Sequence, residues 1–237
     1  MTDTLLLVGR EHVADAARRH ADRLRERAVA DRVAVSTYEH DPAALDTDAG
    51  GRGTYVVPLA PAPDHDTTRG IPGALPAAHH CEPVGASPAI VRGLAARARD
   101  ALEPDSNTSL ALVAFGDTSE DGSRTTTERQ AVRLREATDY DDVTTAYLLQ
   151  NPAVECLRYN LPGDRAVVVP FFMAPCEETE RALPEKLELG RGGIEYADPL
   201  GTHEAVTDAI EAEFAKARSL CSGTASIRPV ATDGRGL

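Results

Sequence analysis

Two short segments of the sequence carry side chains able to handle a metal ion or a proton: Gly9-Arg10-Glu11-His12 and Pro63-Asp64-His65-Asp66. Each follows an apolar run, Leu5-Leu6-Leu7-Val8 in the first case and Tyr55-Val56-Val57-Pro58-Leu59 in the second. A neutral imidazole accepts a proton near pH 7 and coordinates borderline transition metals, and an adjacent carboxylate can share the charge of the ion. Plainer readings stand beside these, with His12 as a surface residue opening a helix and His65 as an exposed loop residue. Of the others, His20 and His40 read as surface positions and His203 as a solvated residue of a helix's first turn. His79-His80, although next to Cys81, read as the start of a strand with one side chain buried and one exposed. No GxGxxG, GxxxxGK[ST] or GxSxG segment occurs, so neither a phosphate cradle nor a nucleophile elbow is supported.

The elements that must position these residues follow from periodicity. Leu5–Val8 is a continuous apolar run of the kind covered on both faces of a parallel sheet. Residues 13–29 carry apolar positions at helical spacing. Residues 33–35, 55–59 and 80–82 read as further strands, and 88–102 as a closing helix. The second half repeats this, with strands expected near 110–114, 142–147, 165–170 and 194–197. Its helices are expected near 126–138, 151–159, 179–187 and 203–219. Strand and helix alternating at these lengths specify a parallel sheet wrapped by helices, an α/β fold. Ligands of such sheets lie beyond the carboxyl ends of the strands. That directs attention to residues 9–12, 60–66 and 83–88, and to 115–119, 173–178 and 199–203.

The two halves are copies. Tyr55-Val56-Val57-Pro58-Leu59 leads through Ile71-Pro72 to Cys81-Glu82-Pro83-Val84-Gly85, and Val167-Val168-Val169-Pro170-Phe171 leads through Leu183-Pro184 to Ala197-Asp198-Pro199-Leu200-Gly201. The openings also match, Leu5–Gly9 against Leu110–Ala114, so equivalent loops can be compared for chemistry. This gives domains at 1–103 and 109–220, an acidic, Pro-containing linker at 103–108, and a flexible Gly/Ser/Thr-rich tail at 221–237.

Composition bounds the partners. Of 237 residues, 38 are Asp or Glu and 25 Lys or Arg, for a net charge of −13, and Lys186 and Lys216 are the only lysines. Acid excess with arginine in place of lysine suits a halophilic protein solvated in concentrated salt, although a GC-rich genome gives the same bias. Such a field repels nucleic-acid phosphates and draws in divalent cations. No apolar run is long enough to cross a bilayer and no signal peptide is readable, so a cytoplasmic protein with no membrane partner is expected. The four cysteines form no CxxC pair and read as free thiols.

The framework pieces Tyr55–Leu59, Cys81-Glu82-Pro83-Val84-Gly85-Ala86-Ser87-Pro88, Val169-Pro170-Phe171-Phe172-Met173-Ala174-Pro175 and Asp198–Ala205 resemble the sirohydrochlorin cobaltochelatase/ferrochelatase family (CbiX and SirB type) over both copies. The resemblance implies two flavodoxin-like, chelatase-like domains facing across a cleft. It also implies a class II chelatase (lyase) activity that inserts Co2+ or Fe2+ into a tetrapyrrole for cobalamin or sirohaem, with no cofactor beyond that substrate ion. The family's first signature is Gly-His-Gly-Ser; here Arg10 takes the histidine's place and His12 the serine's, and in copy two Phe115 stands opposite Arg10. The family's second histidine falls at Asp66, beside His65, and at Glu178. By this resemblance, catalysis rests on His12 and His65, the metal on His12, His65 and Asp66, and the substrate on Arg10, Phe115 and Glu178. Arg10 would hold a tetrapyrrole carboxylate or, equally, pair with a neighbouring acid. A non-catalytic relative that binds tetrapyrrole or metal, or partners an intact paralogous chelatase subunit, is the alternative. An unrelated flavodoxin-like regulatory module is a third reading.

Overall fold

A computed structural model describes residues 3–46, 50–105, 107–118, 121–162 and 165–224. Copy one runs β1 (Thr4–Arg10), α1 (Ala14–Glu26), β2 (Arg32–Tyr38), β3 (Thr54–Pro58), α2 (Ile71–Ala74), β4 (His79–His80) and α3 (Ile90–Ala101). Copy two runs β5 (Thr108–Ala114), α4 (Gly122–Ala137), β6 (Asp142–Tyr147), α5 (Leu157–Asn160), β7 (Arg165–Pro170), α6 (Leu183–Lys186), β8 (Ile194–Tyr196) and α7 (Glu204–Thr224). Each copy forms a four-stranded parallel sheet, in the orders β2-β1-β3-β4 and β6-β5-β7-β8. The central strands carry the unbroken apolar runs because both of their faces are covered: Leu5, Leu7, Val57, Leu112 and Val168 are all fully buried.

The register makes the duplication explicit. Val8 pairs with Pro58 in one sheet and Val113 with Pro170 in the other, which makes Arg10 the counterpart of Phe115. After β3 and β7 the chain enters a wide π-helical turn, Asp66–Gly70 in copy one and Glu178–Ala182 in copy two. Asp66 and Glu178 each open that turn and are therefore equivalent. Ile71-Pro72 and Leu183-Pro184 then continue it as a short α-helix, with the proline in the first turn where its missing N–H is tolerated.

The closing helices are exchanged between copies. Helix α3 of copy one packs on β7, α4 and α7 of copy two, while α7 packs on β3 and α1 of copy one. One continuous apolar core results, running from Leu5, Leu24 and Ile90 to Leu112, Ile210 and Phe214. Gly93 lets α3 approach α7 closely, since a Cβ there would lie 2.9 Å from Leu200 Cδ2 and 3.2 Å from Ala205 Cβ. Polar side chains stitch the same seam. Gln130 Nε2 donates to the carbonyls of Gly85 and Ser87 at 2.7 and 3.0 Å, and Arg27 reaches Glu204, Asp208 and Glu211.

Four expectations from the sequence need correction here. His20 is not a surface residue: it is 1% exposed, with Nε2 donating to the Gly201 carbonyl (3.0 Å) and Nδ1 accepting from the Thr207 hydroxyl (2.8 Å). A carbonyl can only accept, so the neutral tautomer with the proton on Nε2 satisfies both nitrogens. The turns 83–88 and 199–203 do not reach a ligand site; their carbonyls are taken up in the seam by Gln130, His20, Arg23 and Arg97. Neither His79 nor His80 is buried; His79 stacks on Tyr55 and the His80 ring bonds the Leu75 carbonyl. Finally, α7 continues through Thr224, into the segment expected to be tail, while residues 225–237 lie outside the described residues.

Candidate active-site cleft

The carboxyl ends of both sheets open on one cleft of 460 Å3, within the range of small-molecule sites. Copy one contributes Arg10, His12 and residues 58–67; copy two contributes residues 115–118, Leu149, Phe172, Met173, Cys176 and Glu178. The two copies therefore face each other as the duplication predicts, and His12, His65, Asp66, Arg10, Phe115 and Glu178 all line the same space. Ser119 lies outside the described residues.

The two walls differ in chemistry. On copy one, the Arg10 guanidinium lies 2.6 Å from Asp66 Oδ2, and the Tyr38 hydroxyl donates to that same oxygen at 3.0 Å. The Arg10 guanidinium also sits 5.9 Å from the centre of the Tyr38 ring. Burial first, and then the Asp66 charge, pushes the Tyr38 hydroxyl well above its ordinary pKa, so it remains a donor to the carboxylate. Of the two sequence readings of Arg10, the structure takes the ion pair with a neighbouring acid. Asp66 is thereby engaged by an arginine and a phenol. Glu11 turns away from the cleft to accept from Thr37 at 2.5 Å.

Copy two has no such pair, because Phe115 stands where Arg10 does. Phe115 and Leu149 are 42% and 53% exposed at the cleft lip and, with Phe172 and Met173, make this wall apolar. The charge of Glu178, released from the arginine its counterpart has, acts on His12 across the cleft. Burial pushes the His12 imidazole below its ordinary pKa; Glu178 pulls part of that back, and Arg10 adds to the lowering. His12 is therefore neutral at pH 7. The loops are held alike in both copies: the Thr67 N–H donates to Asp64 Oδ1 at 2.8 Å and the Thr67 hydroxyl accepts from the Asp64 N–H, while the Cys176 N–H donates to the Thr179 hydroxyl at 2.9 Å. Burial, followed by its hydrogen bond to Glu178, raises the Cys176 thiol pKa.

Among the described residues no three His, Cys, Asp or Glu side chains converge as a ready metal site. His12, His65 and Asp66 thus share the cleft without forming the three-ligand set expected from sequence. Sequence reasoning missed that the charge of Glu178 acts on His12 from the other copy, and the role of Tyr38 at the end of β2. The alignment of Arg10 with Phe115 is the signal that could have shown that Glu178 lacks the arginine partner of Asp66.

Two parallel sheets of this order, meeting strand-ends-inward over such a cleft, make a two-lobed fold that solved chelatase structures share. Residues 109–217, which make up most of copy two, match the CbiX family model. Over 94% of this chain and 98% of the other, the fold matches SirB from Bacillus subtilis with Fe3+, at a TM-score of 0.74 and 17% identity. It also matches CbiX, the terminal enzyme for biosynthesis of siroheme in denitrifying bacteria (TM-score 0.70, 20% identity, 90% of this chain and 98% of that one). A multi-domain Deinococcus radiodurans protein with structural similarity to chelatases matches at a TM-score of 0.73 and 21% identity, over 92% of this chain; this chain spans 55% of its length. At these identities the likeness is one of fold. No curated protein matches the sequence. No helix among the described residues is long and apolar enough to cross a membrane.

Proposed function

We propose that this chain is a sirohydrochlorin-type metallochelatase that inserts Co2+ or Fe2+ into a tetrapyrrole held in the cleft between the copies. The observation that carries the reading is the placement of neutral His12 on one wall opposite Glu178 on the other. Insertion needs a hydrated ion to shed water and two pyrrole N–H groups to lose their protons. A neutral imidazole can hold the ion or take a proton, and a carboxylate can share the positive charge. The apolar wall of Phe115, Leu149 and Met173 suits the face of a macrocycle, where an aromatic contact contributes about 0.5–1.5 kcal/mol beyond burial. His65, exposed at the rim, is placed to pass the ion inward. The acid-rich, lysine-poor composition supports work in concentrated salt, in a cytoplasm.

Purified protein mixed with sirohydrochlorin and Co2+ in high salt should give a cobalt-dependent spectral change faster than the protein-free control. A rate equal to that control would transfer the case to the second reading, a non-catalytic relative that binds tetrapyrrole or metal or partners an intact paralogue. Arg10 and Phe115, at the two places where the family signature has histidine, favour that second reading.

Substituting His12→Ala should lower the insertion rate by about 100-fold or more, the usual contribution of a positioned acid–base group. His65→Ala should cost much less. Because burial lowers the His12 pKa, the midpoint of the loss of Co2+ affinity on acidification should lie below the 6.5 of an ordinary histidine. Calorimetric titration at a series of pH values checks it, and a loss centred above pH 6.5 would assign the ion to a different group.

A further inference from the structure

Among the described residues lining the cleft there are four carboxylates (Asp64, Asp66, Asp117 and Glu178), one arginine and no lysine. That arginine, Arg10, is neutralised by Asp66 at 2.6 Å, and the Tyr38 hydroxyl fixes the same oxygen. The wall thus presents no spare positive charge to a ligand, and the chain around it carries a net charge of −13. The apolar surface of Phe115, Leu149 and Phe172 nevertheless invites a flat macrocycle. A sirohydrochlorin-type tetrapyrrole is bordered by carboxylates, so its apolar attraction to the Phe115 side is opposed by repulsion from the carboxylates of both walls.

We propose that the cleft loads in a fixed order: a divalent cation enters first and neutralises the walls, and only then does the polyanionic macrocycle dock. The inference rests on the chelatase reading above and adds to it an order of binding and an inverted salt dependence. Ordinary charge-driven binding of an anion weakens as salt rises. Here the electrostatic contribution is repulsive, so screening relieves it, and at about 1 M salt the Debye length falls to about 3 Å. Concentrated salt therefore substitutes in part for the divalent ion. The Arg10–Asp66 pair sets the strength of the effect, because removing the Asp66 charge would free the guanidinium to meet a carboxylate of the ligand.

Equilibrium dialysis of sirohydrochlorin against the chelator-treated protein tests this, with the retained macrocycle read by absorbance and a protein-free chamber correcting for direct complexation. At about 50 mM salt, retention should be weak; Mn2+, or about 1 M KCl without any divalent ion, should tighten it by about tenfold or more. Asp66→Asn should tighten metal-free binding at low salt, the opposite of what loss of a metal ligand would do. Metal-free wild-type protein that binds tightly at low salt and releases the macrocycle as salt rises would overturn the order of binding and leave the chelatase reading intact. Failure to bind under every condition would overturn both.

Discussion

Residues 1–103 expressed alone are expected to remain unfolded, and so are residues 109–224. Each half has its own four-stranded sheet, yet each sheet is covered on one face by the closing helix of the other half. Without copy two, Leu94, Ile90 and Ala98, all fully buried, lose the sheet they pack on, while Leu5, Tyr55 and Val57 lose the cover of Ile210 and Phe214. Leaving one large apolar side chain exposed forfeits about 1.5–3 kcal/mol. Several such losses together exceed the 5–15 kcal/mol by which a whole domain is stable. Circular dichroism and proton-shift dispersion on the separate halves should show no cooperative unfolding transition, and mixing the halves should restore one. A cooperative transition in the isolated first half would mean that its sheet can close on itself.

Stability should also fall between neutral and mildly acid pH because of one residue. Burial is the main reason that the His20 pKa drops to about 4; its bond to the Gly201 carbonyl works against this, and the charges of Arg23 and His203 work with it. In the unfolded chain the pKa is about 6.5. Between these values the unfolded state binds a proton that the native state refuses. The contribution is therefore fully present above pH 6.5, is lost progressively as pH falls, and changes no further below about 4. Across that window it amounts to about 3 kcal/mol, and from pH 7.5 to 5 to about 2 kcal/mol. Urea unfolding at both pH values should show the wild type losing about 2 kcal/mol more than His20→Gln, whose amide can still donate to the Gly201 carbonyl. Parallel losses in the two proteins would remove His20 as the cause.

Much of this architecture was legible in the sequence because parallel sheets write long apolar runs. Leu5–Val8, Val56-Val57 and Val167–Val169 mark central strands, and the repeated Pro58 and Pro170 fix the equivalent strand ends from which the facing cleft followed. What stayed hidden lay in contacts between distant segments. His20 sits among arginines and aspartates on an amphipathic helix, and its neighbours in sequence give no sign that Thr207 and Gly201 bury it. The turns at 83–88 and 199–203 looked like ligand loops because they end strands, but the exchanged helices draw their carbonyls into the seam. At the candidate site, residue types near the strand ends drew attention to Arg10, His12, His65 and Asp66, which line one cleft. Whether Asp66 faces a metal or an arginine depends on side-chain geometry that spacing does not encode.

The exchange of α3 and α7 has a consequence for how the two walls could come to differ. Copy one's helix on copy two's sheet, and the reverse, is the reciprocal pattern of a twofold dimer whose subunits have been joined end to end. In a dimer of identical chains, every residue on one side of the axis recurs on the other, so an arginine at position 10 would face its own image. Covalent fusion removes that obligation. Phe115 can then replace one of the pair while Arg10 keeps the other, and a single pocket on the pseudo-axis acquires an ion-paired guanidinium on one side and an aromatic ring on the other, which no symmetric assembly of one short chain could present.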